Sequence, residues 1–548
     1  MPTRTGGQVA PSREHHSPPP ITQGTVVERL EKLTGTHHAS FRDLAALMNE
    51  YHTVWQDTGA FDVLVEEAKA ETGHFTKEER RAWADVMITS LRREKIVDRN
   101  STQSDVLDAL IDSFQPDQNC ERAWWVMFYS VALKNDTTTG ATTPNISKLK
   151  GHLWSAFNDV RFLLHSSILN VEALITMALF AEEHLSPQAC WSLISKACTM
   201  LIDLGIGTHA TIDPTIKQKR DTLFWRLSSM EKAMSLILSK TPIFQRDLTR
   251  SMALPSLEDL LSTRSRYPTD GMPVLFEAHY EQQMALLSRI QIDVWHCLPG
   301  QETQNVPRVR KDLEKWYTDA KKVLEASALV EKPLLSTRGF THMELMLQTL
   351  SFHFHYLDVL LTVASKELRA QCVGPAQKVL DLLPYLGELL ADDEGLSICL
   401  LWEWMHYPMI TFGTLWGQVV SRGVREGEQS ERILELLENV PKFLKILEPR
   451  NAMAGKLQVI VEKMIYHVRN IYHSGGPLDH QGETEDSTNG SVGGETAVGD
   501  TQSEMQFDMP TTLTETTLDG SLDGLATLPD NFLFDPAFDW FTWGDQLL

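Results

Sequence analysis

Few residue groups in this chain have a type and spacing that could do chemistry, and geometry decides most of them. His353 and His355, in SFHFHYLD, have the look of a metal-ligand pair. On a helix, residues two apart diverge by roughly 200° about the axis, so the two imidazoles cannot share an ion. One is expected in the core and the other toward solvent. Gly205 to Ala210 fits the letters G-x-G-x-x-A. A dinucleotide fingerprint needs a strand before those glycines and a helix after them, whereas here a helical pattern precedes and a Thr/Asp/Pro turn follows. Ser147-x-x-Lys150 and Ser229-x-x-Lys232 match an acyl-enzyme spacing but lack its companion motifs. Glu182, Glu183 and His184 sit just before a helix start and read as surface residues.

The six cysteines, at 120, 190, 198, 297, 372 and 399, are never closer than eight residues. Such spacing argues against a zinc site or a disulfide framework and for buried reduced thiols. Phe224, Trp225, Trp402, Trp404 and Trp416 come without interleaved bases, so they are expected in the core rather than on a base-stacking surface. Neither an enzyme nor a cofactor is expected.

The last eighteen residues, NFLFDPAFDWFTWGDQLL, differ in kind. Six aromatics and three aspartates stand together without one base. Like charges keep such side chains soluble, yet Phe532, Leu533, Phe534, Phe538, Trp540, Phe541 and Trp543 can still fill a shallow apolar groove. This is the acidic-hydrophobic pattern of transcriptional activation segments, which order on binding. The competing expectation is that the same aromatics clasp the body of the protein.

Charge divides the chain along the same line. The 548 residues carry 73 acids and 50 bases, for a net −23. From Pro477 to Leu548 there are 15 acids and no base, which leaves the first 476 residues at −8. A protein that coats nucleic acid through a cationic surplus is excluded on charge. No apolar run approaches the roughly 18 residues of a membrane span, and MPTRTGGQVAPSREHHSPPP lacks a secretory apolar stretch. A soluble intracellular protein is expected.

The elements that must position these groups are helical throughout. In LSPQACWSLISKACTMLIDLGIG, Ser186 is an N-cap and Pro187 a first helical residue. Trp191, Ile194, Cys198 and Leu201 recur at helical steps, and Gly205 stands at the C′ position with Ile206 folding back. DPTIKQKRDTLFWRLSSMEKAMSLILSK repeats the grammar, with Asp213 capping, Pro214 starting, and Leu223, Leu227, Met230, Met234 and Ile237 as the buried stripe. The spacing predicts further helices over 277–298, 307–328, 341–367, 373–391, 396–421, 429–446 and 452–472, and a loop at 134–147. No period-two strand run and no repeat of about 34–45 residues is present.

The reading is one large all-α regulatory domain. A disordered arm (1–25) and an N-terminal helical segment (26–118), which holds the single heptad VVERLEKL, precede the regulatory domain proper (119–473). A flexible acidic linker (474–505) and an acidic-aromatic segment (506–548) follow it.

The stretch from about Ala123 to Leu254 resembles the middle homology region of fungal zinc-cluster transcription factors. One block runs from VRFLLHSS to LGIGTH and carries the likeness through Leu169, Val171, Ala173, Leu174, Leu179, Trp191, Leu204, Gly205 and His209. A second is similar to the family's Arg-Arg-x-x-Phe-Trp helix through Arg220, Leu223, Phe224, Trp225 and Ser235. LSFHFHYLDVLL and the helical remainder to about His473 look like a weaker second half. The likeness spans roughly two-thirds of the chain, with Met230-Glu231-Lys232 where the family has Leu-Asp-Arg and Lys240-Thr241-Pro242 where it has Gly-Arg-Pro. Family members bear a six-cysteine zinc cluster near the N-terminus, and no cysteine here precedes Cys120.

The resemblance implies a nuclear regulator of a metabolic or secondary-metabolite gene set. It would be recruited to DNA through a zinc-cluster partner rather than by direct contact, act through transcription coactivators, and pair as a homo- or heterodimer. A helical adaptor or negative regulator that sequesters such a partner is the alternative.

Overall fold

The computed structural model of the chain describes residues 76–93, 121–138, 143–207, 213–264, 271–298, 305–365, 368, 371–391, 401–421 and 428–474. Among these the fold is all-α, without a strand. The N-terminal arm, VVERLEKL, and everything beyond Ser474, the acidic-aromatic segment included, lie outside the described residues. No described helix is long and apolar enough to cross a membrane.

The helices are α1 Lys77–Arg93, α2 Arg122–Thr138, α3 Thr143–Phe157, α4 Val160–Leu164, α5 Ile168–His184 and α6 Pro187–Asp203. There follow α7 Pro214–Ile237, α8 Arg246–Ser251, α9 Leu257–Arg264, α10 Val274–Trp295 and α11 Val306–Glu331. A 3₁₀ turn at Lys332–Leu334 leads to α12 Thr337–Ala364, α13 Val373–Ala391, α14 Leu401–Ser421, α15 Glu428–Leu437, α16 Asn439–Leu447 and α17 Ala452–Ser474.

Local chemistry starts and stops these helices. Ser186 begins α6 by accepting the Ala189 N–H, with Pro187 in the first turn where a missing donor costs nothing. The same helix ends at Gly205, which sits at φ 79°. Gly205 N–H donates to Ile202 O and Ile206 N–H to Leu201 O, so both free carbonyls are satisfied and Ile206 is buried on the last turn. Ser167, Asn305 and Ser336 cap α5, α11 and α12 in the same way. The first turn of α10 lacks a side-chain cap of its own. Glu331, from the far end of α11, supplies one, its two carboxylate oxygens accepting the Leu275 and Phe276 N–H groups at 2.7 and 2.8 Å.

Three expectations need correction. The polar stretch 134–147 is mostly helix, because α2 runs on to Thr138 and α3 begins at Thr143. The helix expected over 429–446 is two, broken at Glu438, so that Pro441 falls in the first turn of α16, where its missing N–H costs nothing. Glu182 is not a surface residue but 4% exposed, at the end of α5 where its carbonyl accepts from Asn451 at the start of α17.

Packing proceeds from neighbour to neighbour along the chain, α5 on α6, α10 on α11, α12 on α13, and closes through α7 and α14. From Leu401 to Gly417 every residue of α14 is buried. The four described cysteines, 190, 198, 297 and 372, are buried free thiols.

One close approach is unforgiving. Ser336 N–H donates to Gly271 O at 3.0 Å, and a Cβ on Gly339 would lie 2.0 Å from that same oxygen. Gly339→Ala must therefore push the start of α12 away from the turn before α10, at about 1–3 kcal/mol. Gly374, near the start of α13, has open space on that side, with nothing within 4 Å of where a Cβ would stand. Gly374→Ala should therefore be neutral or stabilise by about 0.5–1 kcal/mol. Urea midpoints of the two variants, measured side by side, test the difference; equal midpoints would contradict it.

Candidate functional site

The residues of the Phe-Trp block come together around α7. Arg220 donates a guanidinium N–H to Leu204 O, so it closes the end of α6 from the other side of the Gly205 turn. Phe224 is fully buried, with ring centroids 4.8 Å from Phe244 and 5.0 Å from Trp225. Trp225 is 5% exposed and donates its indole N–H to Ala253 O at 2.7 Å. Arg289, from α10, lies over the Trp225 ring at 5.2 Å and donates to the carbonyls of Thr249 and Met252. Trp191 is half-buried and packs on the edge of the core. Leu223, Leu227, Met234 and Ile237 are buried as the stripe requires, whereas Met230 is only partly so.

α7 is in fact buried on more than one face, and its second face is polar. Glu231 and Lys232 are 0% and 1% exposed and form an ion pair. Glu231 also accepts the Ile243 N–H at 2.6 Å and the Ser235 hydroxyl at 3.2 Å, while Lys232 donates to Phe244 O at 2.7 Å. Burial pushes the Glu231 carboxyl up despite the opposing Lys232 charge. Lys232 is thereby committed to packing and unavailable as a base for Ser229. Charges hold the neighbours too: Arg226 pairs with Glu172 of α5 at 2.8 Å, and Arg246 and Arg250 both reach Asp293 of α10 at 2.7 Å.

A second polar cluster fills the core between α12 and α14. The Tyr407 hydroxyl donates to Glu403 Oε1 at 2.7 Å and lies 3.3 Å from His353 Nδ1. The Tyr356 ring stacks on Tyr407 at 3.5 Å, with His406 edge-on to it. Burial pushes Glu403 up to about 8 and His353 and His406 down to about 3. At neutral pH the cluster is therefore uncharged. Tyr–Glu–His is an acid-base vocabulary, but its members are 0–3% exposed and a reacting atom would have to open the bundle to reach them. His355 does not face open solvent. It is half-buried near Tyr317, and its pKa falls to about 4 through burial and the charges of Lys378 and Lys321.

The expected placement of Phe224, Trp225, Trp402, Trp404 and Trp416 in the core agrees with the structure, where each is at most 5% exposed. A helix precedes the Gly205 turn, as a fingerprint would not allow. Among the described residues no group of three His, Cys, Asp or Glu is placed to hold a metal. Phe532, Leu533, Phe534, Phe538, Trp540, Phe541 and Trp543 lie outside the described residues. Sequence reasoning named Glu231 and Lys232 only as a departure from the family pattern and as part of an acyl-enzyme spacing, not as a buried pair, and it missed Arg289 and Glu403.

What the fold defines is a helical body whose polar groups are spent on packing. The chain is 38% identical over 528 residues to a transcriptional regulator of Claviceps purpurea, covering 95% of this chain and 85% of that protein. It thus belongs to a family of fungal transcriptional regulators. An uncharacterized transcriptional regulatory protein of Schizosaccharomyces pombe is 23% identical over 373 residues, 63% of this chain and 56% of its own length. An ABC-transporter-regulating transcription factor of Aspergillus fumigatus is 21% identical over 325 residues, 52% of this chain and 34% of its own length. These relatives are named as regulators and not as enzymes. No family profile matches the chain, and no solved structure matches it significantly.

The buried polar groups make two measurable demands. Glu231→Gln strands the Lys232 ammonium in the core and should cost about 3–5 kcal/mol, whereas Glu231→Leu with Lys232→Met should cost less than that single change. Chemical denaturation of both variants reads the order, and the reverse order would refute it. The second concerns pH. Glu403 has a raised folded pKa, so its contribution to stability is complete below its ordinary value of 4.5 and is lost as pH rises through about 8. His353 and His406 act oppositely: their contribution is present above 6.5 and lost as pH falls toward about 3. Between pH 5 and 8 the wild type should lose up to about 1.4 kcal/mol per pH unit relative to Glu403→Gln. Parallel stability curves for the two proteins would place the Glu403 carboxyl in contact with water.

Proposed function

We propose that this protein is a nuclear transcriptional activator or co-regulator of a metabolic or biosynthetic gene set. Its helical body serves as the regulatory domain and its acidic C-terminal segment as the activating surface. The observation that carries the reading is the segregation of charge and aromatics. A tail with 15 acids and no base, ending in six aromatics within eighteen residues, is joined to the body of a fungal transcriptional regulator. Phe532, Leu533, Phe534, Phe538, Trp540, Phe541 and Trp543 supply the groove-filling area. Each well-buried side chain is worth roughly 1.5–3 kcal/mol before ordering costs. Asp535, Asp539 and Asp545 speed encounter with basic coactivator surfaces. Recruitment to DNA runs through a zinc-cluster partner, with which the protein forms a heterodimer, or through a homodimer that the partner engages. The Aspergillus fumigatus relative, named as an ABC-transporter-regulating transcription factor, supports a role in regulating transcription.

A second reading is a helical adaptor that sequesters a zinc-cluster regulator, in which the tail aromatics clasp the body rather than engage a coactivator. A fusion of residues 531–548 to a foreign DNA-binding domain separates the two. Reporter output should rise, vanish in Trp540→Ala with Phe541→Ala, and fall only partly when the three aspartates become asparagine. Stable expression of a silent fusion would favour the adaptor.

A further inference from the structure

Positive charge is left over at one corner of the body, where α8 lies against α10. Three guanidiniums meet there around one carboxylate. Arg246 Nε and Arg250 Nη2 each reach a different oxygen of Asp293 at 2.7 Å. Arg289, one turn before Asp293 on α10, meets backbone oxygens instead. Its Nε donates to Thr249 O at 3.3 Å and its Nη2 to the carbonyls of Arg250 and Met252, while the guanidinium lies over the Trp225 ring. Carbonyls at the end of a helix suit a cation, but their partial charges do not cancel a whole one. Burial, and then the Arg250 charge, lower the Arg289 pKa, so the two heads feel each other. Asp247 is exposed and, among the described residues, forms no ion pair with any of the three. Three positive charges against the one carboxylate they share leave an excess of two. The corner is also fixed in place. Arg289 is clamped between Trp225 and the α8 carbonyls, and Arg250, with a side chain 44% exposed, is held at Asp293 through Nη2 alone. Its Nε and Nη1 donors are unused by the protein.

We propose that this corner, Arg250 and Arg289 beside Asp293, is a binding site for a phosphate group. The match is one of charge and of shape. A phosphate dianion cancels the excess of two, whereas a single carboxylate cancels half of it. A guanidinium fork presents parallel N–H donors at the spacing of phosphate oxygens, which an ammonium does not. Little ordering is needed on binding, because both heads are already held. Asp293 has two effects here: it orients Arg250, and it competes with the incoming anion for the same donors. A bound phosphate bridges α8 to α10 across the turn that α7 pins, so it favours the folded body over the unfolded chain. The site is independent of whether the C-terminal segment activates transcription.

The full-length chain tests this by calorimetric titration and thermal melts at constant ionic strength, with inorganic phosphate and N-acetyl-phosphoserine amide as probes. The wild type should bind phosphate saturably and melt higher in phosphate than in chloride. Arg250→Gln should weaken binding roughly tenfold and leave the melting temperature in chloride close to that of the wild type, because Arg246 still pairs with Asp293. Asp293→Asn removes the competing carboxylate and should tighten binding severalfold, a gain that a purely structural ion pair does not predict. Arg432→Gln, at an exposed arginine that pairs with Asp381 and Glu435, should bind as the wild type does. Tighter binding of the phosphoserine amide than of inorganic phosphate assigns the group to a modified protein, and equal binding assigns it to free phosphate. A phosphate effect of the same size in wild type and Arg250→Gln would overturn the proposal, since an anion excluded from the surface stabilises both alike. So would the lack of saturable binding in both the wild type and Asp293→Asn.

Discussion

The structure depends on an ion pair that water never sees. Glu231 and Lys232 are adjacent on α7, and removing two such charges from water costs several kcal/mol per ion before anything is returned. The cost is offset because every bond they make reaches the same turn. Glu231 holds the Ile243 N–H, Lys232 holds the Phe244 carbonyl, and Pro242, which has no N–H to satisfy, leads into both. Chain that would otherwise leave α7 as a free loop is pinned back against it. Phe244 is thereby delivered into the core against Phe224, and α8 starts in the one place from which Arg246 and Arg250 can both reach Asp293.

From that turn the constraint spreads. Arg289 can satisfy the carbonyls at the end of α8 only because α8 is held, and in doing so it covers Trp225, whose indole N–H ties down Ala253. Ser228 and Ser288 face each other at 3.3 Å where α7 meets α10, small enough to let the helices close. On its opposite side, α7 reaches α6 through Arg220 and α5 through Arg226. The Phe-Trp helix is thus a strut whose polar residues fix loops and whose apolar residues fix helices. Neither set would hold alone, because the loops carry backbone groups that the apolar residues cannot satisfy.

What was legible in the sequence follows from how local each signal is. Ser186, Pro187 and Gly205 bound α6 through contacts within four or five residues, so their types announce the helix ends. Phe224 and Trp225 read as core because aromatic residues on an apolar stripe have few other places to go. The polar face of α7 could not be read in the same way. A Met-Glu-Lys triplet on a helix ordinarily marks a solvated edge, and only the return of Ile243 and Phe244 twelve residues later makes it interior. Glu331 and Glu403 fail for a stronger reason. The one caps a helix 55 residues before it, and the other meets a histidine 50 residues before it, distances at which sequence spacing carries no geometric information. The helical ends of 134–147, at 134–138 and 143–147, and the break at Glu438 show the same limit from the other side, since polar composition does not by itself mark a loop.

The two polar cores differ in what they ask of the protein. Around α7 the groups form an ion pair matched partner by partner, so they set the position of a turn. Around α14 they are neutral, with Glu403 protonated and both histidines unprotonated, and the stacked rings of Tyr356 and Tyr407 supply most of the contact. A neutral cluster of this kind costs less to bury but orders less, because hydroxyl and carboxyl groups can exchange partners where an ion pair cannot. A body built this way spends its buried polar groups on holding shape and leaves recognition to its surface. The charge division of the chain has the same consequence: acids placed in the body would compete with Asp293, Glu172 and Glu331 for the arginines and backbone donors that lock it.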